Sequence, residues 1–462
     1  MPDRDGLTAF QRGLAAQQAG RVHEAIGWYQ KSVGHNPELA PAHFNLAQLL
    51  RERGDTADAA VHFGRAAELR PEAADAWLNL GAMQERLGDF GEATRSYGRA
   101  IESSPEGAVG YYNLGNARLG AGDWSGAAGA FRRAVALDPN AADAQWNLSM
   151  ALLAQWQLDE GWAQYEWRWK KQQLDPASRA DAPIWRGEPL TGKHLVVWRE
   201  QGLGDELLFA TCLPDLIADG VSLTLIATPR LTTMLRRAFP AVTVVPDPGT
   251  TRLALPADAR PIDYHIPLGS LPRLLRTSRE RFPARSAFLI ADATPAAKWQ
   301  ARLATLPAGP RIGICWRSGL MTDDRRRFYS SLTDWGSLFA LGDCQWINLQ
   351  YDDCEPELVE AERGFGVRIH RWSGEDLRND LETVVALMAQ LDAVVTAPTL
   401  VSAFAGGLGL PTWQPNLGSD WTAFSEPTSP WFPTLRVIPR HAPDTWQDTL
   451  GRVAAELGGA LA

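Results

Sequence analysis

The first third of the chain repeats one pattern of small, aromatic and proline positions every 34 residues. Small residues, aromatic residues and prolines keep this step in phase at Ala25, Ala59, Ala93 and Ala127, at Tyr29, Phe63, Tyr97 and Phe131, and at Pro37, Pro71, Pro105 and Pro139. Small residues let two helices approach closely, an aromatic side chain fills the space between neighbours, and a proline ends the second helix. The pattern therefore predicts stacked helix pairs that bury their apolar faces only against one another.

The repeats resemble the tetratricopeptide repeat, including W-x-x-L-G at residues 77–81 and Y-x-x-L-G at residues 111–115. This resemblance implies an α-solenoid, a superhelix with a concave groove. We predict that the array covers residues 1–171, as four repeats followed by a degenerate fifth over residues 142–171.

An asparagine recurs in the same phase, one residue before a leucine, at Asn45, Asn79, Asn113 and Asn147. A row of side-chain amides can hold an extended peptide backbone, because an amide both donates and accepts hydrogen bonds. The same row can instead form a ladder between repeats that only stiffens the solenoid. The spacing resembles the asparagine ladder of the O-linked N-acetylglucosamine transferases, which binds the acceptor polypeptide, and this resemblance favours peptide binding.

Beyond the repeats, short apolar runs alternate with amphipathic segments, a pattern typical of α/β folds with buried parallel sheets. A polar linker is predicted over 172–192, followed by a Rossmann-like half over 193–284. A Pro- and Ala-rich inter-domain linker is predicted over 285–310, and a second Rossmann-like half over 311–462. Two such halves predict a cleft between them, where ligands of open α/β sheets bind.

The stretch WREQGLGDELLFA (residues 198–210) carries two glycines and a carboxylate where a strand turns into a helix. It is not a dinucleotide fingerprint, because the third glycine position is Leu207, and the Walker lysine pattern is absent. Gly202 and Gly204 allow a close approach of the backbone, and Asp205 is predicted at the helix N-cap. Capping alone would also explain Asp205.

The segments REQGLGDELLFATCLPDL, GICWRSG and LDAVVTAPTLVSAFAGGLGLPTW resemble the heptosyltransferase-type glycosyltransferases, and above all their relatives fused to tetratricopeptide repeats. Some of those bacterial fusions modify flagellin. The resemblance covers essentially the whole chain and implies a GT-B fold, with two facing Rossmann-like domains. It also implies that the second half binds a nucleotide-sugar donor and the first half binds the acceptor.

In the enzymes resembled, the aspartate of the glycine turn is the candidate base, which corresponds to Asp205; Glu200 and Glu206 are nearby substitutes. A helix N-terminus should lower the pKa of Asp205 and weaken it as a base. A leaving phosphate is stabilised by cations and backbone N–H groups. The residues that we predict to serve the donor and its phosphate are Gly202, Gly204, Arg317, Arg325, Arg326, Thr396, Thr399 and Gly406, with Arg327 in the same basic run. A solvated basic loop, an N-cap threonine and packing glycines are the alternatives.

Two departures from the family bear on the donor. The family commonly has an acidic residue where this chain has Pro398, and a histidine near Ala403. The loss of a negative charge would suit an anionic donor such as a CMP-linked nonulosonic acid. Asp352 and Asp353 have no further ligands at metal-like spacing, so no metal is predicted, and no cofactor is expected beyond the nucleotide-sugar substrate.

A formal net charge of −9 gives no electrostatic case for a nucleic-acid partner. No apolar run is long enough for a membrane span, and the four cysteines form no C-x-x-C pair, so a soluble, cytoplasmic protein is expected. Three functions fit: a protein O-glycosyltransferase, an adaptor with a degenerate enzyme domain, and a glycosyltransferase acting on a lipid or polysaccharide. The asparagine row favours the first.

Overall fold

The computed structural model describes residues 2–256, 259–283, 287–326, 328–418, 420–440 and 444–461. The chain forms two compact units, and the division between them falls between Leu152 and Leu153. In the described residues, no helix has both the length and the apolar character needed to cross a membrane.

The first unit is entirely helical, and its helices pair in sequence order. Close packing in several of these pairs depends on glycines: a Cβ atom added at Gly13 or Gly81 would lie 2.6 Å from the ring of Tyr29 or Tyr97. The predicted solenoid of helix pairs is therefore confirmed. Its helices are α1 (Pro2–Gln18), α2 (Val22–His35), α3 (Ala40–Arg53), α4 (Thr56–Leu69), α5 (Ala74–Arg86), α6 (Phe90–Ser103), α7 (Ala108–Gly120), α8 (Trp124–Leu137) and α9 (Ala142–Leu153).

The second unit is α/β. Its strands are β1 (His194–Trp198), β2 (Ser222–Ala227), β3 (Thr243–Pro246), β4 (Tyr264–Pro267), β5 (Arg311–Cys315), β6 (Gln345–Asn348), β7 (Ile369–His370), β8 (Ala393–Thr396), β9 (Thr412–Leu417) and β10 (Leu435–Arg440). Its helices are α10 (Leu158–Tyr165), α11 (Arg168–Lys171), α12 (Leu203–Ala210), α13 (Leu213–Ala218), α14 (Thr232–Ala238), α15 (Pro272–Leu275), α16 (Ala293–Leu303), α17 (Asp323–Arg326), α18 (Gly336–Phe339), α19 (Glu355–Phe365), α20 (Leu381–Met388), α21 (Leu400–Leu408) and α22 (Trp446–Leu461).

Two sheets organise this unit, and every pairing between their strands is parallel, as the sequence pattern predicts. The first sheet has the order β3-β2-β1-β4 and the second the order β10-β9-β8-β5-β6-β7. The second order is that of a doubly wound sheet. Strands β6 and β7 are added on one side of β5 and strands β8, β9 and β10 on the other, so the order of strand addition reverses between β5 and β8. In the first sheet the corresponding reversal lies between β1 and β4. Ligands of such sheets bind at the carboxyl ends of the strands that flank the reversal.

Two elements were missed by the sequence analysis. The segment 285–310, predicted as a linker, contains α16, which begins after Asp292 and packs on α20. Asp292 caps this helix by accepting a 2.8 Å hydrogen bond from the backbone N–H of Thr294. Strand β10 was also missed, because its pattern is interrupted by Pro439 at the sheet edge.

The last two helices of the predicted fifth repeat, α10 and α11, belong to the α/β unit, so the division between the units falls before residue 171. Trp162 of α10 donates a 3.2 Å hydrogen bond from its indole N–H to the carbonyl of Arg276 and packs edge-on against Trp431. Arg168 of α11 is buried in an ion pair with Glu200. Aromatic and charged side chains of α10 and α11 therefore pack against residues of the α/β unit.

Candidate functional site

The glycine turn lies at the carboxyl end of β1, at the reversal point of the first sheet. Strand β1 ends at Trp198, and α12 begins at Leu203. The residue with left-handed backbone geometry is Gln201, with φ of 61°, rather than either glycine. A non-glycine residue in this region is strained, and such strain persists where the surroundings fix it. Here the Gln201 side chain is held by a 2.9 Å hydrogen bond to the Tyr165 hydroxyl.

Asp205 lies in the first turn of α12, three residues after the N-cap, which is Gly202. Its carboxylate accepts a 3.2 Å hydrogen bond from the backbone N–H of Gly202. Burial raises the pKa of Asp205, and the nearby negative charges of Glu200 and Asp420 raise it further against that hydrogen bond. The prediction of a lowered pKa is therefore wrong, because burial outweighs the helix terminus. A raised pKa makes the carboxylate a better base.

Glu200, a predicted substitute for the base, is committed to structure. Both of its carboxylate oxygens accept hydrogen bonds of 2.8 Å from the guanidinium of Arg168. It also accepts a 2.8 Å hydrogen bond from the backbone N–H of Gly269, just after β4. This buried pair fixes the end of β1 to the end of β4, and Glu200 has no spare oxygen for proton transfer.

Glu206, the other substitute, is also committed to structure. It is 1% exposed and accepts hydrogen bonds from the backbone N–H of Thr228 at 2.9 Å and from its hydroxyl at 2.5 Å. These bonds tie α12 to the residue after β2. Burial raises the pKa of Glu206, but the side chain does not line the cavity described below.

The matching feature of the second sheet is the turn between β8 and α21. Thr399 is the N-cap of α21, and its hydroxyl accepts a 3.3 Å hydrogen bond from the backbone N–H of Val401. Thr396 is fully buried, and its hydroxyl donates to the carbonyl of Ala397 at 2.9 Å. Thr399 thus faces the reversal point between β5 and β8, whereas Thr396 belongs to the core beneath it.

Gly406 is a packing glycine and not a ligand-binding one. A Cβ atom added there would overlap the side chain of Phe432, so the helix passes too close to Phe432 for any larger residue. The predicted donor-binding role of Gly406 is corrected by this contact. Gly204 differs, because a Cβ added there meets no atom within 4 Å.

The two turns line one cavity of about 210 Å³. Gly204, Asp205 and Leu208 of α12 form one wall, and Pro398, Thr399, Ser402 and Ala403 at the start of α21 form another. The remaining wall comes from β9, β10 and the segments that follow β9 and precede β10, with Gln414, Asp420, Thr422, Ala423, Ser429, Phe432, Leu435 and Val437. Residues that follow strands of both sheets therefore line one cavity, and Asp205 is among them. Gly202, which was predicted to serve the donor, is exposed and does not line this cavity.

Asp420 was not predicted from the sequence. It follows β9, which ends at Leu417. Pro398, where the resembling family has an acidic residue, lines the same cavity, so Asp420 returns a carboxylate to it. The cavity therefore keeps a negative charge, which does not favour an anionic donor. The available signal was an acidic residue just beyond a strand in the second half.

A second cavity of about 620 Å³ lies at the carboxyl ends of β6 and β7. Its lining combines aromatic side chains, amides and charges, among them Trp299, Asn348, Gln350, Tyr351, Asp352, Arg371 and Trp372. Trp299 comes from the missed helix α16 and meets Trp372 edge-on with ring centroids 4.9 Å apart. The ends of β5 and β8 lie between this cavity and the strands of the smaller one in the sheet order.

The predicted phosphate-binding arginines do not line either cavity. Arg317 follows β5 and is held by Asp352 and Glu357, with its Nε donating to a Glu357 oxygen at 3.1 Å. Its guanidinium is thus neutralised by two carboxylates. Arg325 and Arg326 are exposed in the short helix α17. Arg327 lies outside the described residues.

The asparagine row of the first unit is half-buried, and three of its four amides, those of Asn45, Asn79 and Asn147, contact neighbouring helices. Asn147 donates to Asn116 at 2.7 Å, and Asn45 donates to the Tyr29 hydroxyl at 3.3 Å. Asn79 accepts from Arg51 and donates to the carbonyl of Asp75 at 2.8 Å. These contacts support the ladder interpretation for part of the row, and they also orient the amides.

Residues 44–108 and 112–166 match the family model of the tetratricopeptide repeat. The repeats in these residues are tetratricopeptide repeats. The chain is also similar to Protein FlbA of Caulobacter vibrioides, with 35% identity over 319 residues, which cover 66% of this chain and 53% of that protein. The chain thus spans about half the length of that curated relative.

Solved structures with similarity to the chain include MamA from Desulfovibrio magneticus RS-1, with 20% identity and a TM-score of 0.33, covering 37% of this chain and 94% of that one. YrrB, described as a TPR protein with an unusual peptide-binding site, has 17% identity and a TM-score of 0.34, covering 37% of this chain and 87% of that one.

Proposed function

We propose that the α/β unit is a glycosyltransferase of the GT-B type that moves a sugar from a nucleotide-sugar donor to a serine or threonine hydroxyl of a polypeptide, with flagellin as a candidate acceptor. The observation that carries this proposal is the cavity shared by the two turns. The carboxyl-end turns of both parallel sheets line it, and they bring Asp205 of one half opposite the α21 N-terminus of the other.

In the proposed reaction, the acceptor hydroxyl oxygen attacks the anomeric carbon while the bond from that carbon to the phosphate oxygen breaks. Asp205 takes the hydroxyl proton, and the nucleotide leaves with the electron pair of the broken bond. The raised pKa of Asp205 suits proton uptake. The N-terminus of α21, whose N-cap is Thr399, presents backbone N–H groups and the positive end of the helix dipole to the departing phosphate.

The larger cavity suits the nucleoside of the donor. The partly exposed ring of Trp372 offers a stacking surface, and the polar part of the lining offers hydrogen bonds to a base or ribose. We propose that the donor extends from this cavity past the ends of β5 and β8 to the smaller one. Arg317 would stabilise phosphate only by exchanging Asp352 or Glu357 for it.

The tetratricopeptide repeats are proposed to bind the acceptor polypeptide in their groove. Asn45, Asn79, Asn113 and Asn147 would hydrogen-bond to its backbone, which accepts many sequences because backbone groups are the same in every peptide.

Donor binding is tested by titrating the full chain calorimetrically with UDP, GDP, ADP and CMP and with a nucleotide sugar of each, including a CMP-linked nonulosonate. We expect saturable binding of one nucleotide class. If none binds, the chain is an adaptor whose enzyme domain is degenerate, an outcome that the losses at Pro398 and Ala403 would then explain.

Acceptor binding is tested by mass spectrometry of candidate polypeptides incubated with protein and donor. Replacing both Asn79 and Asn113 with alanine should weaken transfer about thirtyfold, because two amide hydrogen bonds of roughly 1 kcal/mol each are lost. Donor hydrolysis should not change. Asn140→Ala, in an exposed turn between repeats, is the matched control. Unchanged transfer in the double variant would show that these asparagines do not bind the acceptor polypeptide. If wild-type protein with a bound donor modifies no polypeptide, a lipid or polysaccharide acceptor is favoured.

A further inference from the structure

Asp420 has a fixed orientation beside the smaller cavity. It lies between β9 and the short 3-10 turn Trp421–Ala423. One carboxylate oxygen, Oδ1, accepts hydrogen bonds from the backbone N–H of Thr422 at 2.8 Å and from its hydroxyl at 2.7 Å. The other oxygen, Oδ2, makes a long contact of 3.5 Å with the amide of Asn416. One oxygen therefore holds the group in place, and the other keeps capacity for a further donor.

The support under Asp420 is polar and buried, which is unusual for a strand. Gln414 and Asn416 share one face of β9, because alternate residues of a strand point the same way. Both are 4% exposed, and the Gln414 amide donates to the Asn416 oxygen at 3.1 Å. A chain of amides thus leads from Gln414, which lines the cavity, to the carboxylate of Asp420.

The backbone after Asp420 is strained and held by aromatic packing. Phe424 and Ser425 have φ of 53° and 56°, in the left-handed region that side-chain-bearing residues avoid. Phe424 is buried, stacks on Trp156 at 4.5 Å and meets Phe282 edge-on at 5.1 Å. Packing of this kind can fix a strained loop, and it fixes the position of Asp420 before any ligand arrives.

The charge around Asp420 is negative. Asp205 lines the same cavity from the opposite half, and no lysine, arginine or histidine is among the described residues that line it. Serine and threonine hydroxyls and the Gln414 amide complete the polar lining. Carboxylates without cations are acceptors, so this lining suits a ligand that presents many hydroxyl donors.

We propose that Asp420 binds the transferred sugar by accepting hydrogen bonds from its hydroxyl groups through Oδ2. This proposal rests on the proposed function and names the part of the donor that occupies the smaller cavity. Asp420 and Asp205 then divide the work: Asp420 holds the sugar, and Asp205 receives the proton of the acceptor.

The test compares two affinities in each variant, that of a nucleotide and that of its nucleotide sugar. The probes are UDP with UDP-N-acetylglucosamine and CMP with CMP-N-acetylneuraminate, titrated calorimetrically into the full chain. Asp420→Asn keeps an oxygen for Thr422 and should preserve the loop. We expect it to reduce the extra affinity given by the sugar about tenfold or more and to leave nucleotide binding unchanged, since a hydrogen bond to a charged group contributes roughly 1.5–3 kcal/mol.

Two comparison variants make the result specific. Asp205→Asn should keep the affinity gained from the sugar, because the proposed base contacts the acceptor; Asp219→Asn, at the exposed end of α13, should change nothing. If neither nucleotide binds wild-type protein, both this proposal and the proposed use of these donors fail. If a nucleotide binds and Asp420→Asn leaves the sugar's contribution intact, the assignment of Asp420 alone is overturned.

Discussion

At the scale of single residues, position along a turn decides which carboxylate is chemically available. Glu200, Asp205 and Glu206 lie within seven positions of one another in the sequence, yet only Asp205 lines the cavity. The other two are saturated by Arg168 and Thr228. The strand-to-helix turn distinguishes Asp205 in the sequence, but the burial that raises its pKa is not visible there, because residues distant in the sequence line the same cavity.

Replacing Asp205 with asparagine should lower turnover by roughly 10²–10⁴-fold, the usual contribution of a general base, with donor affinity preserved. The acid limb of the wild-type pH–rate profile should lie above the ordinary aspartate value of 3.8, because activity needs the ionised form and its pKa is raised. Steady-state kinetics across pH measure both effects. Turnover equal to that of wild type would remove Asp205 from the mechanism.

Gly406 and Gly204 are expected to differ in their effect on stability and on ligand binding. Gly406→Ala should destabilise the α/β unit by about 1–3 kcal/mol, because its Cβ would overlap Phe432. Gly204→Ala should leave stability nearly unchanged, since its Cβ would meet no atom, and should weaken ligand binding by filling space in the cavity. Urea unfolding and calorimetric titration of both variants measure this contrast. Equal destabilisation by the two changes would contradict it.

At the scale of elements, helix pairing in the first unit contains a group that responds to pH. His43 of α3 and His62 of α4 face each other with their Nδ1 atoms 3.0 Å apart. One nitrogen must donate and the other accept, so the contact cannot survive protonation of both rings. Burial lowers the pKa of both histidines below the ordinary 6.5.

A lowered pKa gives a contribution to stability that is present above pH 6.5 and is lost as pH falls below it, because the unfolded chain protonates first. The first unit should therefore unfold at lower urea concentration at pH 5 than at pH 7. Circular dichroism of the full chain measures the change, and His43→Gln with His62→Gln should reduce its pH dependence. A pH dependence equal to that of wild type in the double variant would rule out the pair as its source.

The elements that the sequence predicted well are those with local periodicity. The 34-residue phase and the apolar strands of both sheets depend on short-range patterns, and the structure has them. Helix α16 was hidden by its Pro- and Ala-rich surroundings, although its buried Trp299 belongs to the larger cavity. Arg317 was predicted to bind phosphate because it follows β5. Its ion pairs with Asp352 and Glu357 could not be predicted, because these carboxylates are distant from it in the sequence.

At the scale of the whole molecule, one buried ion pair joins the last helices of the repeat-like sequence to the reversal point of the first sheet. The side chains of Arg168 and Glu200 are only 2% and 5% exposed. Ser270, just after β4, accepts a further 2.7 Å hydrogen bond from Arg168. Segments far apart in the sequence therefore meet at the base of the glycine turn.

Arg168→Met should destabilise the α/β unit by about 3–5 kcal/mol, because it leaves Glu200 buried without its cation. Arg436→Met breaks the exposed pair with Glu456 and should cost less than about 1 kcal/mol. Urea unfolding of the full chain compares the two. A similar small loss in both variants would show that the buried pair adds no more than a surface one.

Helix α10 carries the end of the match to the repeat family and α11 follows it, but both pack in the α/β unit through Trp162 and Arg168. A chimera that replaces these two helices together with the repeats would remove their side chains from the α/β unit. Joining a foreign repeat array before Leu153 leaves both helices in place, so under the proposed function it should change the acceptor while the proposed reaction in the α/β unit is kept.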